Sequence, residues 1–230
     1  MRSLLKIRRF ATFLIMKNSF LKKISIGFVL TAISVVISYL FLDRPIAFWM
    51  YAHPLSLYPC FEWITYIAVG IGAVMAFCLP VFAVISISRP LKKIEKIVFI
   101  SSLSLAVTIF LKDIAKLIFG RYWIQTWIDQ NPSLISNGAY GFHFFHSGSA
   151  YGSFPSGHTA IVSSSMTFLW YFAPKWRFLA FLLVFAEVLG LIALNFHFFS
   201  DILAGAFLGT FSSLFIIRLA KQKEFVQNRF

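Results

Sequence analysis

The sequence predicts an all-α, polytopic membrane protein with six transmembrane helices and both termini cytoplasmic. Three observations carry that reading. First, 59% of the 230 residues are hydrophobic and 13% are charged, against roughly 25% charged in an ordinary soluble domain. Second, six apolar runs approach the roughly 20 residues that cross about 30 Å of hydrocarbon. Third, the basic residues collect in alternate connections. A soluble chain of this length cannot cover so much apolar surface, and the mean hydropathy of +0.81 agrees. A soluble enzyme, a disordered chain and a disulfide scaffold are thereby excluded.

The first expected span covers residues 24–42 and the second 63–87, with a kink at Pro80. The third covers 97–119, although Lys112, Asp113 and Lys116 interrupt its last turns. The fourth covers 157–173, the fifth 178–196 with Glu187 in its middle, and the sixth 202–217. Spans three, four and six are short or polar at one end, and that end is expected to face protein or water. Residues 43–62, with Trp49, Tyr51, Tyr58 and Phe61, suit an interfacial helix or loop. Residues 120–156 form the longest connection, and a connection of that length is usually functional.

Of the 21 Lys and Arg residues, 17 lie in the segment 1–24, the loop after span two, the turn after span four and the tail. Arg44, Lys112, Lys116 and Arg121 fall on the other side. The positive-inside rule then puts both termini in the cytoplasm. The net charge of +13 is therefore read as a topology signal, and no nucleic-acid partner is expected. The basic segment 1–23 precedes an apolar run too long for a signal peptide, with no small-residue cleavage site after it, so it reads as leading a retained span. No linker or repeat divides residues 1–230, which are expected to form one membrane-embedded domain. Cys60 and Cys78 are not expected to pair.

Once the spans are arranged, three polar clusters meet at the outer face. Lys112, Asp113, Lys116 and Arg121 end span three; Pro155-Ser156-Gly157-His158 enters span four; His197 and Asp201 lie between spans five and six. Ionisable groups at membrane depth are functional candidates by default. A Pro-Ser-Gly helix start aims free backbone N–H groups at an anion, although Ser-Gly there is also a common cap. His197 and Asp201, four residues apart, share a face if helical. A carboxylate there holds one imidazole nitrogen and leaves the other free to attack. His158 can give a proton to a leaving oxygen. Lys116 and Arg121 supply positive charge for phosphate, whereas Lys112 and Lys116 could also simply snorkel. Two histidines, an oriented carboxylate, cations and free amides are what phosphoryl transfer through a phosphohistidine requires, and no metal or other cofactor is expected.

These residues resemble the type 2 phosphatidic acid phosphatase family of membrane lipid phosphatases. The family pattern is a Lys with Arg-Pro seven residues on, then Pro-Ser-Gly-His, then Ser-Arg with a His six residues after the Arg and an Asp four later. Pro155, Ser156, Gly157 and His158 match the middle motif, and His197 with Asp201 match the end of the third. The similarity covers about residues 105–210. Two departures stand out. Leu191 occupies the position of the third-motif Arg, and Trp123-Ile124 occupies that of Arg-Pro when Lys116 is aligned. Aligning Arg121 as the terminal Arg instead puts Ile114 where the Lys belongs, and the Lys116 register is preferred.

The resemblance implies that His197 is the nucleophile, that Asp201 orients it and that His158 is the general acid. It implies phosphate binding by Lys116, Arg121, Ser156 and Gly157, with Lys112, His143 and His146 as possible auxiliaries. The missing Arg removes a contact of roughly 1.5–3 kcal/mol, which Lys112, Arg44, His143 or His146 could replace. The expected substrate is a phosphorylated membrane lipid: undecaprenyl pyrophosphate, phosphatidylglycerol phosphate, phosphatidic acid or lipid A. The expected location is a bacterial inner membrane, with the site facing the periplasm or exterior. A lipid phosphotransferase and a catalytically impaired lipid-binding protein remain alternatives. Glu187 is expected either to pair with Lys112 or to be buried and protonated. Gly205 and Gly209 are expected to form a face for close helix packing.

Overall fold

The computed structural model describes residues 2–127, 130–146 and 148–223, with side chains from Ser19 onward. Arg229 and the side chains of the first basic residues therefore lie outside the described part. The described residues are helical, with only isolated bridges in the long connection. Helix α1 (Arg2–Ile37) runs through a π-helical turn, Ser38–Leu42, directly into α2 (Asp43–Ala52). Pro45 has no N–H to offer the carbonyl four residues back, and its ring crowds that carbonyl, so the turn widens just ahead of it. The widened turn leaves Asp43 facing inward and 1% exposed. The region expected as an interfacial helix or loop thus starts as a continuation of the first helix, over Asp43–Ala52.

Helix α3 (Pro59–Ser88) starts with Pro at its first position and continues past Pro80. Helix α4 (Lys93–Phe119) is capped by Glu95, which accepts from Lys92 N at 2.7 Å and pairs with Arg89 at 2.7 Å. It ends at Gly120 in the left-handed region (φ +48°), where a Cβ would strike the His143 carbonyl. Only glycine permits this turn, and the turn sends Arg121 under the helix end. The long connection folds into a cap that contains the one-turn helix α5 (Leu134–Asn137). Its Ile124 and Leu134 pack with Ala47 and Phe198 into a small apolar core.

Helices α6 (Gly157–Phe172), α7 (Arg177–Ala193) and α8 (Phe199–Gln222) complete the bundle. Among the described residues, five helical stretches are long and apolar enough to cross a membrane: Ser19–Ala52, Pro59–Ser88, Lys93–Phe119, Pro174–Ala193 and Phe199–Gln222. The expected fourth span, α6, has 16 residues and rises only about 24 Å. It can be this short and carry four Ser and Thr in its first ten residues because α3, α4, α7 and α8 surround it.

Helix α8 lies closest to α6, and the expected glycine face is the reason. A Cβ on Gly205 would collide with the Ser156 carbonyl, and one on Gly209 with the Ala160 carbonyl. Hydrogen bonds lock α8 to both neighbours: Ser164 Oγ of α6 lies 2.9 Å from Ser213 Oγ, and from α4 Ser104 Oγ lies 3.1 Å from Ser213 Oγ and Thr108 Oγ1 2.6 Å from Ser212 Oγ. Interhelical bonds of this kind contribute about 0.6 kcal/mol each. Their combined effect is to hold the amino ends of α6 and α8 side by side, where Ser156 N donates to the Asp201 carbonyl at 3.0 Å. Cys60 and Cys78 are free thiols.

Candidate active site

The site is built around a fully buried ionic cluster. Arg121 Nη1 donates to Asp201 Oδ1 and, at 2.6 Å, to Ser200 Oγ. Nη2 donates to Asp43 Oδ2 at 2.7 Å, and the guanidinium lies 4.1 Å from the centre of the Phe198 ring. Asp43 also accepts from Ser200 N at 2.9 Å and from Ser200 Oγ. One guanidinium therefore stands between two carboxylates, all at 0–1% exposure. Burial alone would lower the Arg121 pKa, but Asp201 and Asp43 together hold it above its ordinary value. The cluster carries one net negative charge, which favours positive charge arriving on its neighbour, His197.

His197 precedes α8 rather than sharing its face with Asp201, so the expected helical spacing is corrected. Asp201 sits in the first turn of α8 and its Oδ2 reaches back, accepting from Phe198 N at 3.1 Å and Ser153 Oγ at 2.6 Å. The same oxygen lies 3.6 Å from His197 Nδ1. Contacts of this kind often run long without substrate. Nδ1 is thereby turned to the carboxylate, and Nε2 is the nitrogen left for chemistry. Burial lowers the His197 pKa below its ordinary value; Asp201 opposes the shift and Lys116 adds to it.

A cavity of about 460 Å³ opens beside this imidazole. Its polar lining is His197, His158, Lys112, Lys116 and Gly157. The two imidazole centroids are 6.3 Å apart, inclined at 62°. Ser156 caps α6, its Oγ accepting from Thr159 N at 3.4 Å. The next N–H groups, of Gly157 and His158, have no acceptor within the helix. Lys112 lies across Gly157, where a Cβ would come within 3.1 Å of its Cδ. Trp123 and Trp127 form one wall, Trp123 with its ring 5.2 Å from His197. Ala68, Val69 and Ile161 form an apolar wall, and Val69 is also exposed on the outside of α3.

The structure brings His197, Asp201, His158, Lys116, Lys112 and Gly157 together. Ser156 is adjacent, but its hydroxyl caps the helix and does not line the cavity. Arg121, expected to bind phosphate, is corrected: it is 0% exposed behind Asp201 and does not reach the cavity. His146 lines a neighbouring chamber of about 360 Å³ that shares Lys116 and Trp123 with the first. His143 lines neither chamber and packs against Tyr122 at 4.5 Å. Of the candidates to replace the missing Arg, Lys112 lines the cavity and Arg44 does not, lying over Tyr140 at 5.7 Å. Leu191 is wholly buried. Lys112 pairs with Asp113 at 2.7 Å. The Glu187–Lys112 pair does not form, and both Glu187 oxygens lack a hydrogen-bond partner. Sequence reasoning missed Asp43, whose one signal is a carboxylate directly after an apolar run, and Ser153, which has none.

Comparison with known proteins puts this bundle in the class of membrane phosphatases. The PAP2 superfamily profile matches residues 97–225, more than half of the chain, and the chain belongs to that superfamily. Among solved structures it is similar to the crystal structure of "the first transmembrane PAP2 type phosphatidylglycerolphosphate phosphatase from Bacillus subtilis". The TM-score is 0.49 and the identity 16%, covering 87% of this chain and 96% of that one. Comparison with curated protein sequences gives no match.

Proposed function

We propose that the protein hydrolyses a phosphate ester or diphosphate of a membrane lipid with His197 as nucleophile. The carrying observation is the pair of imidazoles facing each other 6.3 Å apart in one cavity with two lysines and an apolar wall. His197 Nε2 attacks phosphorus while Asp201 steadies the positive charge growing on the ring. The bond from phosphorus to the leaving oxygen breaks, and His158 gives that oxygen its proton. His158, now neutral, takes a proton from water; the water oxygen attacks the phosphohistidine, and inorganic phosphate and free His197 result. Lys112, Lys116 and the Gly157 and His158 amides hold the phosphate oxygens. The lipid chain follows Ala68, Val69 and Ile161 toward the outside of α3.

In this reading α6 is a sixth crossing, both termini lie on the cytoplasmic side, and the site opens to the periplasm or exterior of a bacterial cell. Undecaprenyl pyrophosphate, phosphatidylglycerol phosphate, phosphatidic acid and lipid A are the candidate substrates, the first being favoured on family resemblance. Phosphotransfer to an acceptor is the second reading, supported by the neighbouring chamber, which shares Lys116 and Trp123. The test is phosphate release from those four lipids by the detergent-purified protein with a chelator present, beside His197→Ala. Chelator-resistant release that the variant loses supports hydrolysis through His197. Transfer of phosphate to a lipid or alcohol acceptor without release supports the second reading.

A further inference from the structure

The largest of the described cavities, about 640 Å³, lies at the opposite end of the bundle from the histidines. It is about 26 Å from Asp201, by the rise of α8 to Arg218. Helix α1 supplies Phe20, Lys23 and Ile24, α6 supplies Tyr171, and α8 supplies Leu214, Ile217, Arg218 and Lys221. Its lining combines three cations, Lys23, Arg218 and Lys221, with apolar side chains. Arg218 lies 4.3 Å from the centre of the Phe20 ring, and Lys221 lies 5.0 Å from that of Tyr171. No acidic side chain lines it among the described residues. The described carboxylate of this end, Glu95, is held by Arg89. Toward the catalytic end α1 meets α8, with the Phe28 and Phe207 rings 6.0 Å apart.

We infer that this cavity binds one anionic phospholipid from the leaflet at the basic end, at a site separate from the catalytic one. Charge complementarity selects the occupant. Three cations gather in the lining, while Ile24, Leu214 and Ile217 offer an acyl chain a path between the helices. A basic pocket between transmembrane helices is suited to an anionic head group. Free phosphate has no use for the apolar lining, and three cations attract an anionic head group more strongly than a zwitterionic one. The bound lipid joins α1 to α6 and α8 at this end of the bundle.

The test is lipid retention by the full-length protein in detergent, read by native mass spectrometry after exchange against phosphatidylglycerol or phosphatidylcholine. The expected result is one retained phosphatidylglycerol, at least tenfold preferred over phosphatidylcholine and not displaced by glycerol phosphate or inorganic phosphate. K23Q/R218Q/K221Q removes the preference. Ile24→Trp, which fills the apolar part and keeps every cation, also removes it. K92Q/K175Q, at the same end but outside the cavity, leaves it intact. Equal retention of both lipids, displacement by the soluble phosphates, or equal loss in the K92Q/K175Q control overturns the proposal. The readout is binding, so it stands or falls independently of the phosphatase reading.

Discussion

Replacing Arg121 by lysine separates two roles for this residue. If Arg121 bound phosphate, the substitution would weaken substrate binding and little else. In the structure it acts as a clamp, because its two terminal nitrogens reach Asp201 and Ser200 on one side and Asp43 on the other. A lysine ammonium keeps the charge but cannot span both carboxylates from a single nitrogen. Two charge-assisted hydrogen bonds are lost, at about 1.5–3 kcal/mol each, so the expected loss of stability is about 3–6 kcal/mol. Asp201 is freed to shift relative to His197, and a misplacement on the order of 1 Å costs on the order of a hundredfold in kcat. KM should stay within about twofold, because the lysines and amides that line the cavity are untouched. The assay is unfolding in detergent beside kcat and KM on the best lipid substrate, measured where the variant is still folded. A KM raised more than tenfold with unchanged kcat and stability would refute the reasoning and return Arg121 to the phosphate.

Three further outcomes follow from the same geometry. Asp43→Asn, which leaves Arg121 with one carboxylate, should lower stability by about 3–5 kcal/mol and lower kcat with KM unchanged; unfolding and steady-state kinetics check it. Gly209→Ala puts a methyl against the Ala160 carbonyl and should cost about 1–3 kcal/mol, seen as a lower Tm, whereas Gly70→Ala, with open space around it, should change Tm little. Because burial holds the His197 pKa below 6.5, the free imidazole persists under that pH, and the acid limb of kcat/KM for this group should fall below 6.5. The sign for stability is the same: as pH falls beneath 6.5 the unfolded chain takes the proton first, so this group's contribution is lost in acid.

Much of the fold is legible as apolar length and charge alternation, because lipid imposes both. The helix that departs from this pattern, α6, does so for a physical reason: a helix enclosed by protein needs neither full length nor an apolar surface, so the sequence shows it as a short span. The Gly205 and Gly209 face is readable because close packing demands small residues at that spacing. Within the site, His158, His197, Asp201 and the α6 start are marked by local motifs. The place of Arg121 is not legible, because a cation beside a phosphate motif looks the same whether it faces the cavity or the carboxylate behind it. The role of Asp43 is hidden because its partners, Arg121 and Ser200, are 78 and 157 residues away. No local pattern records a contact made only when the bundle closes.

The central claim is that phosphate passes through His197, and trapping the intermediate tests it most directly. The protein is mixed with lipid carrying labelled terminal phosphate, quenched in base and digested, in wild type, His158→Ala and His197→Ala. Acid-labile, base-stable label on the peptide containing His197 is expected in wild type, forming and clearing more slowly in His158→Ala, which lacks both the acid for the leaving oxygen and the base for water, and absent from His197→Ala. Turnover that continues in His197→Ala, or stable label on another residue, would contradict the account.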